Sequence, residues 1–230
     1  MKKKLLVLDD PYYARPYQSI FDVLAPKTIK DFDDNFKECD VVLFTGGADV
    51  GPHLYGENVG QYTFCDQKRD KFEYFVAKRA MDAGKPMLGI CRGAQFVCVM
   101  AGGRLVQHTE NHGYSHMITD IFGNAMMMTS THHQMMIPTT AEEHLVIAKT
   151  AAPKSGLYLN GDNKALYQPF AYDEPEIVWF PKIKALAIQG HPEVSSDADL
   201  HKYCCDLIEF YIFNQQDTKQ PHYPTIIKEI

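Results

Sequence analysis

The stretch Leu88-Gly89-Ile90-Cys91-Arg92-Gly93-Ala94-Gln95 admits few backbones. An apolar run from Pro86 to Ile90 stops at a cysteine flanked by two glycines, and Arg92 to Met100 continues as a buried helix. The pattern predicts a strand that turns sharply into a helix with Cys91 at the tip, the thiol form of a nucleophile elbow. The glycines make this possible, because strand and helix approach too closely for side chains and the tip residue is held in a strained conformation.

Further apolar runs, Lys4 to Leu8, Val41 to Phe44 and Leu186 to Gln189, lack the alternation of a half-exposed strand. Separated by helical stretches, they predict an α/β fold with a mostly parallel central sheet and helices on both faces. Gln18 to Leu24 reads as a helix ended by Pro26. Ala48 to Phe64 is rich in glycine and reads as a long functional loop, and Asp66 caps a helix with Phe72, Phe75, Val76 and Ala80 at helical spacing.

Beyond Met100 the pattern changes. Arg104 to Gln107, Met117 to Phe122, Ala125 to Thr129 and Leu145 to Ala148 read as short strands, with Gly123-Asn124 as a hairpin turn. Glu176 to Phe180 pairs with Leu186 to Gln189, so a small antiparallel region joins the parallel sheet. Ser196 to Phe213 is a final helix with one apolar face. The expected organisation is a single domain over residues 1–215 and a tail over 216–230.

A 45% hydrophobic share among 230 residues supports a sizeable core, and a net charge of -6 offers no electrostatic case for nucleic acid or an anionic membrane. No apolar window is long enough to span a bilayer. Six cysteines without a Cys-x-x-Cys spacing read as reduced thiols, which suits a cytoplasmic enzyme.

A thiol attacks a carbonyl well once a base takes its proton. Gly190-His191-Pro192-Glu193 follows the last apolar run, and residues two apart in an extended segment project to one side. His191 can face the sulfur while Glu193 holds its other ring nitrogen, giving a Cys91-His191-Glu193 triad. The oxyanion hole is expected from the backbone N–H of Arg92, at a helix N-terminus, and of Gly47, at a neighbouring strand end. His112 and His116 have the spacing of a metal pair on a helix, but the intervening Gly113 argues against that reading, so no metal and no cofactor is expected. His132-His133 fits a polar cluster or a substrate pocket equally well.

The segments TGGADVGPHLYGE, GICRGAQ and QGHPE occur in the order and spacing of a known family. The chain resembles the class I glutamine amidotransferases from about Val41 to Val194, with their flavodoxin-like fold. The Gly-Gly-Ala-Asp-Val-x-Pro loop, Asp66 with Arg69-Asp70, and His132-His133-Gln134 look most like its γ-glutamyl hydrolase (peptidase C26) branch, which includes enzymes acting on γ-glutamyl-γ-aminobutyrate. The resemblance implies Cys91 as nucleophile, His191 as base and then acid, Glu193 as orienting carboxylate, and a γ-glutamyl thioester that water hydrolyses. It also implies Gln95 as a substrate contact. Asn111-His112-Gly113-Tyr114 is similar to a segment of the glutaminase chain of carbamoyl phosphate synthetase, which adds Asn111, Gly113 and Tyr114 to the implied contacts.

Thr150 to Pro175 lacks the acidic strand pattern of the γ-aminobutyrate-type hydrolases, and no synthase or ATP-binding domain is present. The expected substrate is therefore glutamine or a γ-glutamyl amine. The alternatives are an ammonia-supplying subunit or a non-catalytic regulatory or binding homologue, and the expected partner is a separate synthetase or a second copy of the chain in a homo-oligomer.

Overall fold

In the computed structural model, which describes residues 1–166, 174–196 and 198–213, the apolar runs assemble into one nine-stranded sheet. The first strands are β1 (Lys3–Leu8), β2 (Phe21–Leu24), β3 (Val41–Phe44), β4 (Met87–Ile90), β5 (Arg104–Val106) and β6 (His108–Thr109). There follow β7 (His116–Asp120), β8 (Ala125–Met128), β9 (Met135–Ile137), β10 (Leu145–Thr150), β11 (Tyr158–Leu159), β12 (Pro175–Phe180) and β13 (Ala185–Ile188). Helices α1 (Ile29–Glu38), α2 (Gln67–Asp82), α3 (Arg92–Met100) and α4 (Ala198–Ile208) surround them.

The sheet order is β2-β1-β3-β4-β13-β12-β10-β7-β8. The strands from β2 to β13 run parallel, and those from β12 to β8 are antiparallel to their neighbours. Alternate residues of the parallel strands serve two cores. Leu5, Val7, Leu43 and Ile188 join α4 on one face, while Leu6, Leu8, Val42 and Ala187 join α1, α2 and α3 on the other. This is the sandwich expected of strands without polar alternation. Pairing of Phe44 with Gly89 and of Ile188 with Ile90 brings three strand ends to one edge, and the site lies there.

Two early elements differ from the expectation. Residues Gln18 to Leu24 are not a helix: a 3-10 segment, Pro11–Tyr17, is capped by Asp10, and Phe21–Leu24 then pairs in parallel with β1. The helix lies later, at α1, where the Thr28 hydroxyl accepts the Asp31 N–H at 3.1 Å and Phe32 and Phe36 are buried. Asp66 caps α2 as expected, but Phe72 and Phe75 are exposed, and the buried face carries Asp70 and Glu73 instead. Gly123 adopts φ 81° in the β7–β8 hairpin, where Asp120 Oδ1 accepts the N–H groups of Phe122 and Asn124 at 2.9 Å.

The tail read from the sequence, 216–230, and residues 167–173 of the segment before Pro175 lie outside the described residues. Among the described residues no helix is long and apolar enough to cross a membrane.

Candidate active site

β4 delivers Cys91 to the start of α3 with φ 52° and ψ -109°. A non-glycine residue there stores roughly 1–3 kcal/mol of strain, which the surrounding structure must enforce. The Cys91 N–H donates to the Ile188 carbonyl at 2.9 Å and its own carbonyl accepts the Gln95 N–H at 3.1 Å. A side chain at Gly89 would strike the backbone of Gly93, and one at Gly93 would strike the Phe44 carbonyl. Both glycines thus permit the close strand-to-helix approach that the sequence predicted.

His191 follows β13, anchored by its N–H on the Thr129 carbonyl at 2.7 Å. Its Nδ1 lies 2.6 Å from Glu193 Oε1, and Nε2 lies 2.8 Å from the Thr131 hydroxyl. Burial pulls the His191 pKa down, and hydrogen bonding to Cys91 and Glu193 overcomes this and raises it to about 10. The imidazole is therefore held by a carboxylate on one side, and it lines the same cavity as Cys91. The Tyr13 ring is 6.0 Å from it, and burial, with Glu193 nearby, raises the phenol to about 12.

Gly47, at φ 133°, follows β3 and lies against Arg69. Arg69 donates to the carbonyls of Gly46 at 2.9 Å and Thr45 at 3.0 Å, so the turn is clamped from behind. Arg92, 1% exposed, pairs with Asp70 at 2.6 Å and with Glu73, which also pairs with Arg69 at 2.8 Å. Burial pushes the Asp70 carboxyl up, opposed by Arg92. With its guanidinium engaged in this network, the group Arg92 can offer a reacting oxygen is its main-chain N–H at the start of α3.

A cavity of about 460 Å³ opens over Cys91, lined by Gly47, Arg92, Gln95 and His191 from the expected set, joined by Tyr13, Ala48, Asp49, Phe64 and Thr131 to Gln134. Gln95 donates to the Gln134 carbonyl at 3.1 Å, and His133 Nε2 is 3.1 Å from Asp49 Oδ1. The 48–64 loop thus contributes cavity wall at both ends. Asn111, Gly113 and Tyr114 are not among the residues that line this cavity. Asn111 Nδ2 donates to the Lys154 carbonyl at 2.9 Å, and Tyr114 is 78% exposed. The Tyr114 carbonyl lies 2.9 Å from His116 Nδ1 in the same turn.

Sequence reasoning missed Tyr13 and Thr131, which carry no local motif and reach His191 through tertiary packing. It also dismissed His112 and His116 as ligands. His116 is on a strand, not a helix, and the carboxylates come from far along the chain: Glu176 lies against both histidines and Glu174 against His112. Burial draws the His112 pKa down, and these two carboxylates override it to raise it to about 9.

A strained cysteine at the carboxyl edge of a mostly parallel sheet, facing a histidine and a carboxylate, is the arrangement of class I glutamine amidotransferases. Solved structures share the fold: a candidate GMP synthase component from Thermoplasma acidophilum superposes with TM-score 0.60 at 18% identity, covering 94% of this chain and 99% of its own. A glutamine amidotransferase from Thermotoga maritima superposes with TM-score 0.51 at 13% identity, over 94% and 86% of the two chains.

Within that class the chain belongs to the peptidase C26 family, whose profile matches residues 20–141. A glutamine amidotransferase-like protein of Lactococcus lactis is 49% identical over 69 residues, 30% of this chain and 29% of the relative. The carbamoyl phosphate synthase small chain of Xanthomonas campestris is 28% identical over 132 residues, 57% of this chain and 29% of the relative. Each of these two matches thus spans less than a third of the relative's own length.

Proposed function

We propose that this chain is a cysteine amidohydrolase that cleaves the γ-amide of glutamine or of a γ-glutamyl amine. The observation that carries the reading is the Cys91 elbow opening into a cavity beside a His191-Glu193 pair held at 2.6 Å. His191 takes the thiol proton, the sulfur attacks the amide carbon, and the oxygen becomes an oxyanion received by the N–H groups of Gly47 and Arg92. His191 then protonates the leaving nitrogen, and a water activated by the same imidazole releases glutamate from the thioester. Asp49 and His133, paired at 3.1 Å on the cavity wall, supply the acidic and basic groups that a zwitterionic amino-acid head would meet. The six free thiols fit a reducing, cytoplasmic setting.

The test is glutamate release from glutamine and a panel of γ-glutamyl amines by wild type and Cys91→Ala. Turnover should vanish in the variant while its melting transition persists. Retained turnover would overturn the proposal. A second reading, ammonia supply to a separate synthetase, is favoured by the similarity to a carbamoyl phosphate synthase small chain. It predicts low glutaminase activity that rises when a co-purifying synthetase is added.

A further inference from the structure

Behind the wall that carries Thr131 and His133, three histidines converge on one carboxylate. Glu176 Oε1 lies 3.4 Å from His112 Nδ1, 3.5 Å from His132 Nε2 and 2.9 Å from His116 Nε2. The group is shut off from solvent, with His112 and Glu176 at 0% and His132 at 3% exposure. Yet His112 Nδ1 and Nε2, His132 Nε2 and Glu176 Oε2 have no hydrogen-bond partner among the described residues. Buried polar atoms are rarely left so, and two of these, His112 Nδ1 and His132 Nε2, both face Glu176 Oε1, which calls for a specific cause.

The spacing fits a cation. The ligand atoms of His112, His132 and Glu176 all lie within 4.8 Å of one another. Neighbouring ligands of a tetrahedral zinc with bonds of about 2.0–2.1 Å are about 3.4 Å apart. Glu176 Oε1 stands at that separation from both imidazole nitrogens.

The outer partners agree. His132 Nδ1 lies 2.8 Å from the Gln134 carbonyl, an acceptor, so the proton sits on Nδ1 and a lone pair on Nε2 faces Glu176. His112 Nε2 faces Glu174 at 3.3 Å, which turns Nδ1 toward Glu176, and the ion takes the place of the Nδ1 proton that the carboxylates otherwise hold, releasing it to solvent. His116 contacts the same Glu176 oxygen and has the Tyr114 carbonyl 2.9 Å from its other nitrogen. Histidines that ligate metals regularly give their second N–H to a carboxylate or carbonyl, as His132 Nδ1 does to the Gln134 carbonyl. A lone pair and a carboxylate oxygen facing each other repel unless a cation lies between them.

We propose that His112, His132 and Glu176 form a buried site for one divalent first-row metal ion, zinc by donor set, which ties the turn after β6 and the 129–134 segment to β12. Because His132 also lines the cavity, the ion braces the wall that carries Thr131 and His133. It takes no part in the chemistry at Cys91, and the proposal does not depend on the amidase reading.

The test is elemental analysis of the full chain with melting curves before and after chelation and Zn²⁺ re-addition. We expect about one zinc per chain, a Tm that falls on chelation and recovers with Zn²⁺, and loss of both in Glu176→Gln and His132→Asn. Cys91→Ser is the control against zinc held by Cys91 and His191, and it should keep the metal. Should the histidine and glutamate variants fail to fold, cobalt-substituted wild type decides: visible bands without a thiolate charge-transfer band support the site. Overturning results are wild type that neither carries nor responds to Zn²⁺, zinc lost in Cys91→Ser but kept in His132→Asn, or a thiolate charge-transfer band.

Discussion

Replacing Arg92 by methionine tests how the elbow is supported from beneath. The guanidinium is 1% exposed and pairs with Asp70 at 2.6 Å and with Glu73, which retains Arg69 at 2.8 Å. Methionine keeps much of the volume, so the substitution mainly strands Asp70. Removing one member of a buried pair costs about 3–5 kcal/mol. In a chain of 230 residues each kcal/mol shifts Tm by about 2–4 °C, giving an expected fall of about 6–20 °C at pH 8. Burial already pushes the Asp70 carboxyl up, and losing Arg92 pushes it further. A carboxyl with a higher pKa folded than unfolded binds protons preferentially in the fold, so acidification stabilises the variant. The gap between wild type and Arg92→Met should therefore narrow from pH 8 to pH 5 in calorimetric melts. A fall below about 2 °C at pH 8, or an equal fall at both pH values, would refute the reasoning.

Glu193→Gln should lower kcat/KM by about 10²- to 10⁴-fold, read as glutamate release. His191, raised to about 10 in the fold against about 6.5 unfolded, contributes stability that is complete below about pH 6.5 and lost as pH climbs through 10. The decline of Tm across that window should accordingly be shallower in Glu193→Gln, and parallel curves would exclude the linkage. Gly93→Ala forces a methyl group onto the Phe44 carbonyl, and a denaturant midpoint showing a loss of about 1–3 kcal/mol or more is expected. Thr28→Ala removes the α1 cap and should cost about 1 kcal/mol in the same measurement with no change in KM.

The parts of this protein that were legible in the sequence are those written in short stretches. β3, β4 and β13 appear as unbroken apolar runs because both faces of each are covered, and the glycines around Cys91 carry its turn, whereas the His191-Glu193 contact forms through a 3-10 turn over Pro192–Val194 and not the extended segment expected from its spacing. α1 escaped because Ile29–Glu38 shows little more than Phe32 and Phe36 to the core amid charged residues, and β2 escaped because a four-residue strand just before Pro26 has no period to detect. Phe72 and Phe75 misled for a related reason: helical spacing does not tell which face a tertiary neighbour will claim, and here Arg92 drew Asp70 and Glu73 inward. His116 meets Glu176 across 60 residues, a separation at which no local pattern announces a contact.

The left-handed backbone at Cys91, φ 52°, gives the thiol a role as a gauge of the whole molecule. That conformation survives only while β3, β4, β13 and α3 press on it together through Phe44, Ile188 and Gly93. Each of these contacts contributes to holding the strained turn in place. The position of the proposed nucleophile is thus tied at one residue to the packing of three strands and a helix.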